Sequence, residues 1–446
     1  MKNQKGRVKI ASILLTIVLI VLLIILFNIY KKNYFSGFEK GTTDYMANTK
    51  FLRDSDVKYS DEKSFKIENS DFSDAAFYKE IEVQPNTPYK ITCMVKTENV
   101  ECKDPNKDGG VTIGVLDTTQ YSYPLQGTQD WQPLEFIFNS FDKTSLKVSF
   151  RLGGNENECK GSVWFSDLKL EKGIPNKDAE WNIACVIVNE LDVGINGTRY
   201  NLFVNNEDVE NVKLNMERFS EDCHEFSNKI MIVNYDIYQL EAPIKTISYS
   251  EEHGYYISYS DIEKYLYEYI HGKEYDHLFI VCRMQNEDGT LEIPIKDNWI
   301  GLGGMDIHGI GYSLIRINSN SNRYTYKFGI TNQMPEEVYL HEFLHTLERN
   351  TIDSGYEIPE LHDYELYGYT EEKEESLMKW YEDYMLGRIY DEKTGTYVGL
   401  NENSYSTQPF NSENFKYSVE VDLYDEPQNL FEEIQTIFKA LKENFS

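Results

Sequence analysis

The period of the apolar residues changes once along the chain, near residue 178, and that change limits the folds available. From about 36 to 172, short runs such as "AAFYKEIEV", "YKITCMVKT", "WQPLEFIFNS", "SLKVSFRLG" and "SVWFSDLKLEK" alternate apolar and polar residues between turn clusters. Period-two alternation at this spacing predicts an antiparallel all-β sandwich. After 178 the runs lengthen and alternate in type. "WNIACVIVNE", "KIMIVNYDIYQL", "DHLFIVCRM" and "GIGYSLIRIN" read as strands, with helical spacing in "DVENVKLNMERFSEDCHEFSN" and "SDIEKYLYEYIHG". That order predicts an α/β layer domain. Beyond 351 the pattern reads as mostly helical, with "EEKEESLMKWYEDYMLG" the clearest helix.

The first residues add a third region. "MKNQKGRVK" is basic, and "IASILLTIVLIVLLIILFNIY" then runs without a charge for long enough to cross a bilayer. The positive flank predicts a transmembrane signal anchor with an inside N-terminus and an extracellular remainder. A cleaved signal peptide is the rival, but no A-x-A-like site follows. The expected organisation is therefore a stub and anchor over 1–32, a sandwich over 36–174, and a third domain over 178–446. The expected location is the cell membrane, single-pass.

With 74 acidic against 44 basic residues the formal net charge is −30, and no basic stripe interrupts it. Such a surface repels nucleic acid. Cys102 and Cys159 sit in polar loops of the same domain and could pair; Cys93, Cys185 and Cys282 lie in apolar runs and read as buried thiols. "DPNKDG" (104–109) starts like a calcium loop, but position twelve would be Val115 where glutamate is needed, so a plain turn is the better account.

The chemistry concentrates in "PEEVYLHEFLHTLERN", 335–350. Pro335, Glu336 and Glu337 suit a helix N-terminus. Leu340, Phe343, Leu344 and Leu347 form an apolar stripe, which leaves His341 and His345 one turn apart on another face. That spacing lets two imidazoles reach one Zn2+, with Glu342 placed to take a proton from water at the metal. A third ligand is required. His362 in "ELHDYELYGY" is the first candidate, then Asp363, then Glu374 or Glu375 of "EEKEE". Glu348 shares the histidine face and suits orienting an imidazole. Tyr364, Tyr367 and Tyr369 could donate a hydroxyl to a carbonyl oxygen gaining charge, Tyr364 being the one nearest His362 in sequence. His308 could line the cleft, whereas His224, His253, His271 and His277 read as surface or interface residues.

Two resemblances follow from these residues. "GFEKG", "VQPNTPYKITCMVKT", "GTQDWQPLEFIF" and "GSVWFSDLKLEKG" resemble carbohydrate-binding jelly rolls, which implies a glycan as a possible partner and Trp131 and Trp164 as mainly core residues. HExxH with a strand just before it resembles zincin-type metallopeptidases, in which an edge strand aligns the substrate; "GIGYSLIRIN" occupies that place. Glu348 and Asn350 exclude the HExxHxxGxxH branch. Together with "WIGLGGMDIHGIGYSLIRI" and "LHDYELYGY", the motif is similar to a group of zincin-like surface proteins of Gram-positive bacteria. The resemblance implies a zinc metalloendopeptidase acting on a peptide or protein, glycosylated or cell-wall associated. A non-catalytic adhesin for glycan or protein is the alternative.

Overall fold

A computed structural model of the chain describes residues 37–423 apart from 43–47, 61–62, 106–108, 155–156, 176–177, 271–274, 318–334, 371–376 and 411–414. The alternating region forms nine strands: β1 (Glu39–Thr42), β2 (Thr49–Asp54), β3 (Ser64–Ser73), β4 (Ala75–Glu82), β5 (Pro88–Cys102), β6 (Gly110–Val115), β7 (Gly127–Asn139), β8 (Ser145–Gly153) and β9 (Cys159–Pro175). They build two antiparallel sheets, ordered β1-β4-β8-β6 and β2-β3-β9-β5-β7. In β5, Tyr89, Ile91, Cys93 and Val95 are buried while Lys90, Thr92, Met94 and Lys96 between them are half-exposed. The inner faces meet in a phenylalanine stack of Phe65, Phe77, Phe150 and Phe165. Each such ring withdrawn from water contributes about 1.5–3 kcal/mol. Cys102 and Cys159 face each other in the β5–β9 ladder and form a disulfide. Closing that loop restricts the unfolded chain by roughly 4 kcal/mol in the chain-entropy account. Cys93, Cys185, Cys223 and Cys282 are buried thiols. Part of the calcium-loop look-alike falls outside the described residues; Asp104 and Asn157 exchange hydrogen bonds across its base.

The α/β domain starts with β10 (Glu180–Val188), followed by the hairpin β11 (Glu190–Ile195) and β12 (Thr198–Phe203), then α1 (Asn206–Phe226) and β13 (Ile232–Leu240). After the short pair β14 (Ser248–Ser250) and β15 (Gly254–Tyr256) come α2 (Tyr259–Ile270), β16 (His277–Arg283), β17 (Gly301–Ile307), β18 (Ile310–Ile317) and α3 (Pro335–Asp353). One sheet results, ordered β13-β10-β16-β18-β17, parallel throughout except for β17. Strand β10 is buried on both faces, which is why its sequence is nearly unbroken apolar. Ile183, Cys185 and Ile187 join the core under α1 and α3, whereas Ala184, Val186 and Val188 join the core on the α2 side.

Helix α1 begins with a capping box, Asn205 and Asp208 each accepting the other's backbone N–H at 2.9 Å. Its Arg218 pairs with Glu336 at the start of α3 at 2.6 Å. Burial, with the charge of Glu336 added, pushes the neighbouring Asp222 carboxyl up to about 7. His277 is not a surface residue. It lies fully buried in β16 under α3, 3.2 Å from the Thr346 hydroxyl, and burial with the Arg349 charge pushes its pKa down to about 3.

Two expectations are corrected here. The C-terminal part is not mostly helical, and over all the described residues strand outweighs helix more than two to one. After α3 the described residues hold one eight-residue helix, α4 (Met378–Met385), two short 3-10 turns, the hairpin β19 (Ile389–Asp391) with β20 (Thr396–Val398), and β21 (Phe415–Val421). The "EEKEE" half of the supposed helix lies outside the described residues. "FKYSVEV" alternates with period two, and the free edge of the second half of β9 is where it pairs. The sandwich is thus completed by a strand from the far end of the chain, which the 36–174 and 178–446 boundaries did not foresee. The second correction concerns the membrane. Among the described residues no helix is long and apolar enough to cross a bilayer; those present carry charged faces or are short. The single-pass membrane location is withdrawn accordingly; the run over 10–30 lies outside the described residues.

Candidate metal centre

Helix α3 carries the stripe its sequence promised: Leu340, Phe343, Leu344 and Leu347 are fully buried against the sheet. His341 and His345 consequently emerge on the other face, and their Nε2 atoms lie 3.2 Å apart. His362 arrives from the loop that follows, its Nε2 also 3.2 Å from that of His341. One coordinating nitrogen from each of the three residues falls within 4.8 Å of the others. Nitrogens bound tetrahedrally to zinc at about 2.0–2.1 Å would stand roughly 3.3 Å apart. The spacing fits one small ion.

Two of the imidazoles, those of His341 and His362, are pushed toward the neutral form that a ligand needs. Burial first, then the neighbouring His345 and His362, keep His341 well below the ordinary histidine range. Burial and His345 lower His362 as well. The outer ring nitrogens have partners that aim the inner ones: His341 Nδ1 lies 2.8 Å from the Tyr381 hydroxyl, and His345 Nδ1 lies 3.3 Å from Glu348 Oε2. Glu348 thus has the orienting position expected of it.

The loop that delivers His362 is pinned on three sides. Glu348 Oε1 accepts the Leu361 N–H at 2.5 Å, Trp380 Nε1 donates to the Leu361 carbonyl at 2.9 Å, and the Tyr384 hydroxyl donates to the Pro359 carbonyl at 3.0 Å. Asp363 is not part of the cluster, and Glu374 and Glu375 lie outside the described residues. Tyr364 is half-buried two residues after His362 and packs against the core beneath α3, with Tyr367 and Tyr369 beside it. A recess of about 270 Å³ opens next to the triad, lined by His345, Glu348, Arg349, Ile352, Glu360 and His362 among others.

Glu342 is buried, 4.0 Å from His341 Nε2, and burial pushes its carboxyl up to about 8. It sits against β17, which is the true edge strand. "GIGYSLIRIN" is β18, paired on both sides. The Gly-rich segment before it makes the edge, and its glycines make room: a Cβ at Gly301 would strike Glu342 Oε1, and one at Gly303 would lie 2.6 Å from Oε2.

The residues missed by sequence reasoning are the pins, Tyr381, Trp380 and Tyr384, and the glycines of β17. HExxH fixes two ligands by local period but carries no information about which distant side chains hold the third. His308 also differs from expectation: it is buried against the sandwich, not beside the triad. Trp164 is buried, as expected of it, but outside the cluster between the two sheets: it lies on the outer face of the larger sheet, beneath Lys66, with its Nε1 donating to Asp54. Trp131 shares that outer face and contacts the exposed Tyr59.

No family model matches the chain, and no curated relative does. Solved structures with some likeness cover about a third of it, the share taken by the sandwich. TmCBM61 in complex with β-1,4-galactotriose is 14% identical, over 32% of this chain and 92% of that one, with a TM-score of 0.23. The CBM22-1 xylan-binding domain from Paenibacillus barcinonensis Xyn10C is 14% identical over 32% and 90%, TM-score 0.23. The cleaved adhesin domain of Lys-gingipain from Porphyromonas gingivalis is 10% identical over 31% and 94%, TM-score 0.23. At these scores the likeness adds nothing to what the two packed sheets already show of the fold.

Proposed function

We propose that the chain is a zinc-dependent peptide hydrolase. The observation that carries this is the convergence of three imidazoles, with the Nε2 atoms of His345 and His362 each 3.2 Å from that of His341, beside the buried carboxyl group of Glu342. His341, His345 and His362 would hold the ion, which when bound would supply Lewis-acid polarisation of a carbonyl and a more acidic water. Glu342 accepts the proton of the attacking water and passes it to the departing amine. Tyr364 donates its hydroxyl to the carbonyl oxygen as charge develops there. The outer edge of β17 offers backbone N–H and C=O groups to an extended peptide or protein segment. The Cys102–Cys159 disulfide suits an oxidising, extracellular setting.

The test combines metal analysis with digestion of a peptide library by the native chain and by Glu342→Gln. The expected outcome is about one zinc per chain in both, with cleavage reduced by a factor on the order of 10² or more in the variant. Zinc-loaded native protein that cleaves nothing overturns the proposal.

A second reading, a glycan-binding surface protein without catalysis, is favoured by one observation. Tyr59 and Trp131 lie 5.8 Å apart on the outer face of the larger sheet, Tyr59 being 52% exposed, with Asp130 and Lys96 beside them. Aromatic faces flanked by hydrogen-bonding groups suit a sugar ring. Glycan-array binding that disappears in Tyr59→Ala supports it; a blank array for the native chain removes it.

A further inference from the structure

Glu342 sits between two walls, β17 on one side and its own helix α3 on the other, and both walls end on the sandwich. β17 leads into a turn at His308 and Gly309, whose φ angles of 50° and 81° are those of a tight two-residue hairpin. A non-glycine residue at a left-handed position is uncommon, though histidine is among those that take it, and here its ring is enclosed. Tyr121 and Tyr123 of the β6–β7 connection and Tyr259 of α2 surround it, with ring centroids at 4.7, 4.5 and 5.4 Å. Its Nδ1 donates to the Tyr121 carbonyl at 2.7 Å, and its Nε2 lies 3.0 Å from Glu263 Oε1. At the far end of α3, the Asp142 N–H of the sandwich donates to the Asp353 carbonyl at 2.8 Å, and Asn86 Nδ2 donates to the Ser354 carbonyl at 3.2 Å.

We infer that the sandwich is a working part of the metal centre: by gripping the ends of β17 and α3 it sets their separation, and His308 is a positioning residue for Glu342. The physical need is visible at the glycines. The carboxylate occupies the space that a Cβ at Gly301 or Gly303 would fill, so a small outward movement of β17 leaves it loose, and an inward one displaces it. None of the triad lies on β17, so the same movement removes no ligand from the metal, although Gly304 packs near His345, a Cβ there lying 3.4 Å from the His345 Cβ. The role of Glu342 rests on the hydrolase proposal; the grip on β17 does not.

The test uses the full chain with His308→Ala and His308→Asn. Asparagine suits the left-handed backbone and keeps a donor near the Nδ1 position. Hydrogen exchange of peptides covering 301–307 should quicken in His308→Ala while those of α1 stay protected, with zinc content unchanged. Turnover of a cleaved peptide should fall by roughly tenfold to a hundredfold with KM little altered, and His308→Asn should recover most of both signals. Tyr123→Ala, on the sandwich side, should reproduce the pattern, and serves where His308→Ala does not fold. Unchanged exchange at 301–307, or loss of protection spread over the whole chain, overturns the inference. If the native chain cleaves no peptide the hydrolase proposal falls, and the exchange comparison still decides whether the sandwich holds β17.

Discussion

Two of the three candidate ligands stand on a helix and the third on a loop, and the difference is in what keeps each in place. His341 and His345 are set by the helical period and by a stripe buried in the same nineteen-residue element. His362 is set by tertiary hydrogen bonds from Glu348, Trp380 and Tyr384, two of them from a helix after it in sequence. The backbone positions of the helix-borne half are local to one element, with only the His341 ring aimed from outside by Tyr381, whereas the loop-borne half depends throughout on side chains that touch no metal. Glu348, which meets both the His345 ring and the His362 loop, joins the two.

The largest effect comes from removing a helix ligand. His341→Ala should weaken zinc binding on the order of a thousandfold, since one ligand supplies a few of the roughly 10–16 kcal/mol that such sites deliver. Competition with a chelator measures it, and circular dichroism should show the fold intact. Glu348→Ala should weaken zinc about tenfold to a hundredfold by releasing both the His345 ring and the His362 loop. In a His362→Ala background that same substitution should cost much less, because one of the two things it holds is already gone. Equal losses in both backgrounds would remove the distinction between the halves.

The smallest effect is on stability against pH, and it bears on the packing under the helix. His277 is held below its unfolded pKa, so its contribution is complete above about 6.5 and is lost as pH falls from there toward about 3. Asp222 is held above its unfolded value, so its contribution is complete below about 4 and is lost as pH rises toward about 7. Melting temperature should thus decline on both sides of mildly acidic pH. His277→Phe should flatten the acid limb and Asp222→Asn the neutral one. A variant that leaves its own limb unchanged shows that group to be irrelevant to the helix seat.

Legibility followed the same division. The sandwich strands, the buried parallel strands and the stripe of α3 are properties of short windows, and short windows revealed them; the pairing of Cys102 with Cys159, 57 residues apart, could only be raised as an option. His362 could be named because proline and glycine turn the chain back toward the helix. The edge strand could not: three of the seven residues of β17 are glycine, a composition that argues against a strand unless something must pack closely on it. The helical reading of the C-terminal part failed because charge runs imitate helix periodicity, while "FKYSVEV" needed a partner far away in sequence to be recognised. The burial of Trp164 was foreseen but not its face, since hydrophobicity alone does not say which side of a strand a ring takes; its neighbours Val163 and Phe165 fill the inner one.

Strand β21 gives the molecule a particular order of manufacture. The larger sheet receives its last described strand only after the ribosome has passed nearly every other element, so β9 must wait with half of one flank bare while the α/β domain is synthesised and folds. A chaperone, or a competing strand from another nascent chain, would find that flank during the interval. Trimming the gene just before Phe415 would therefore tell on yield and aggregation in the first domain made, although the deletion lies at the other end of the protein.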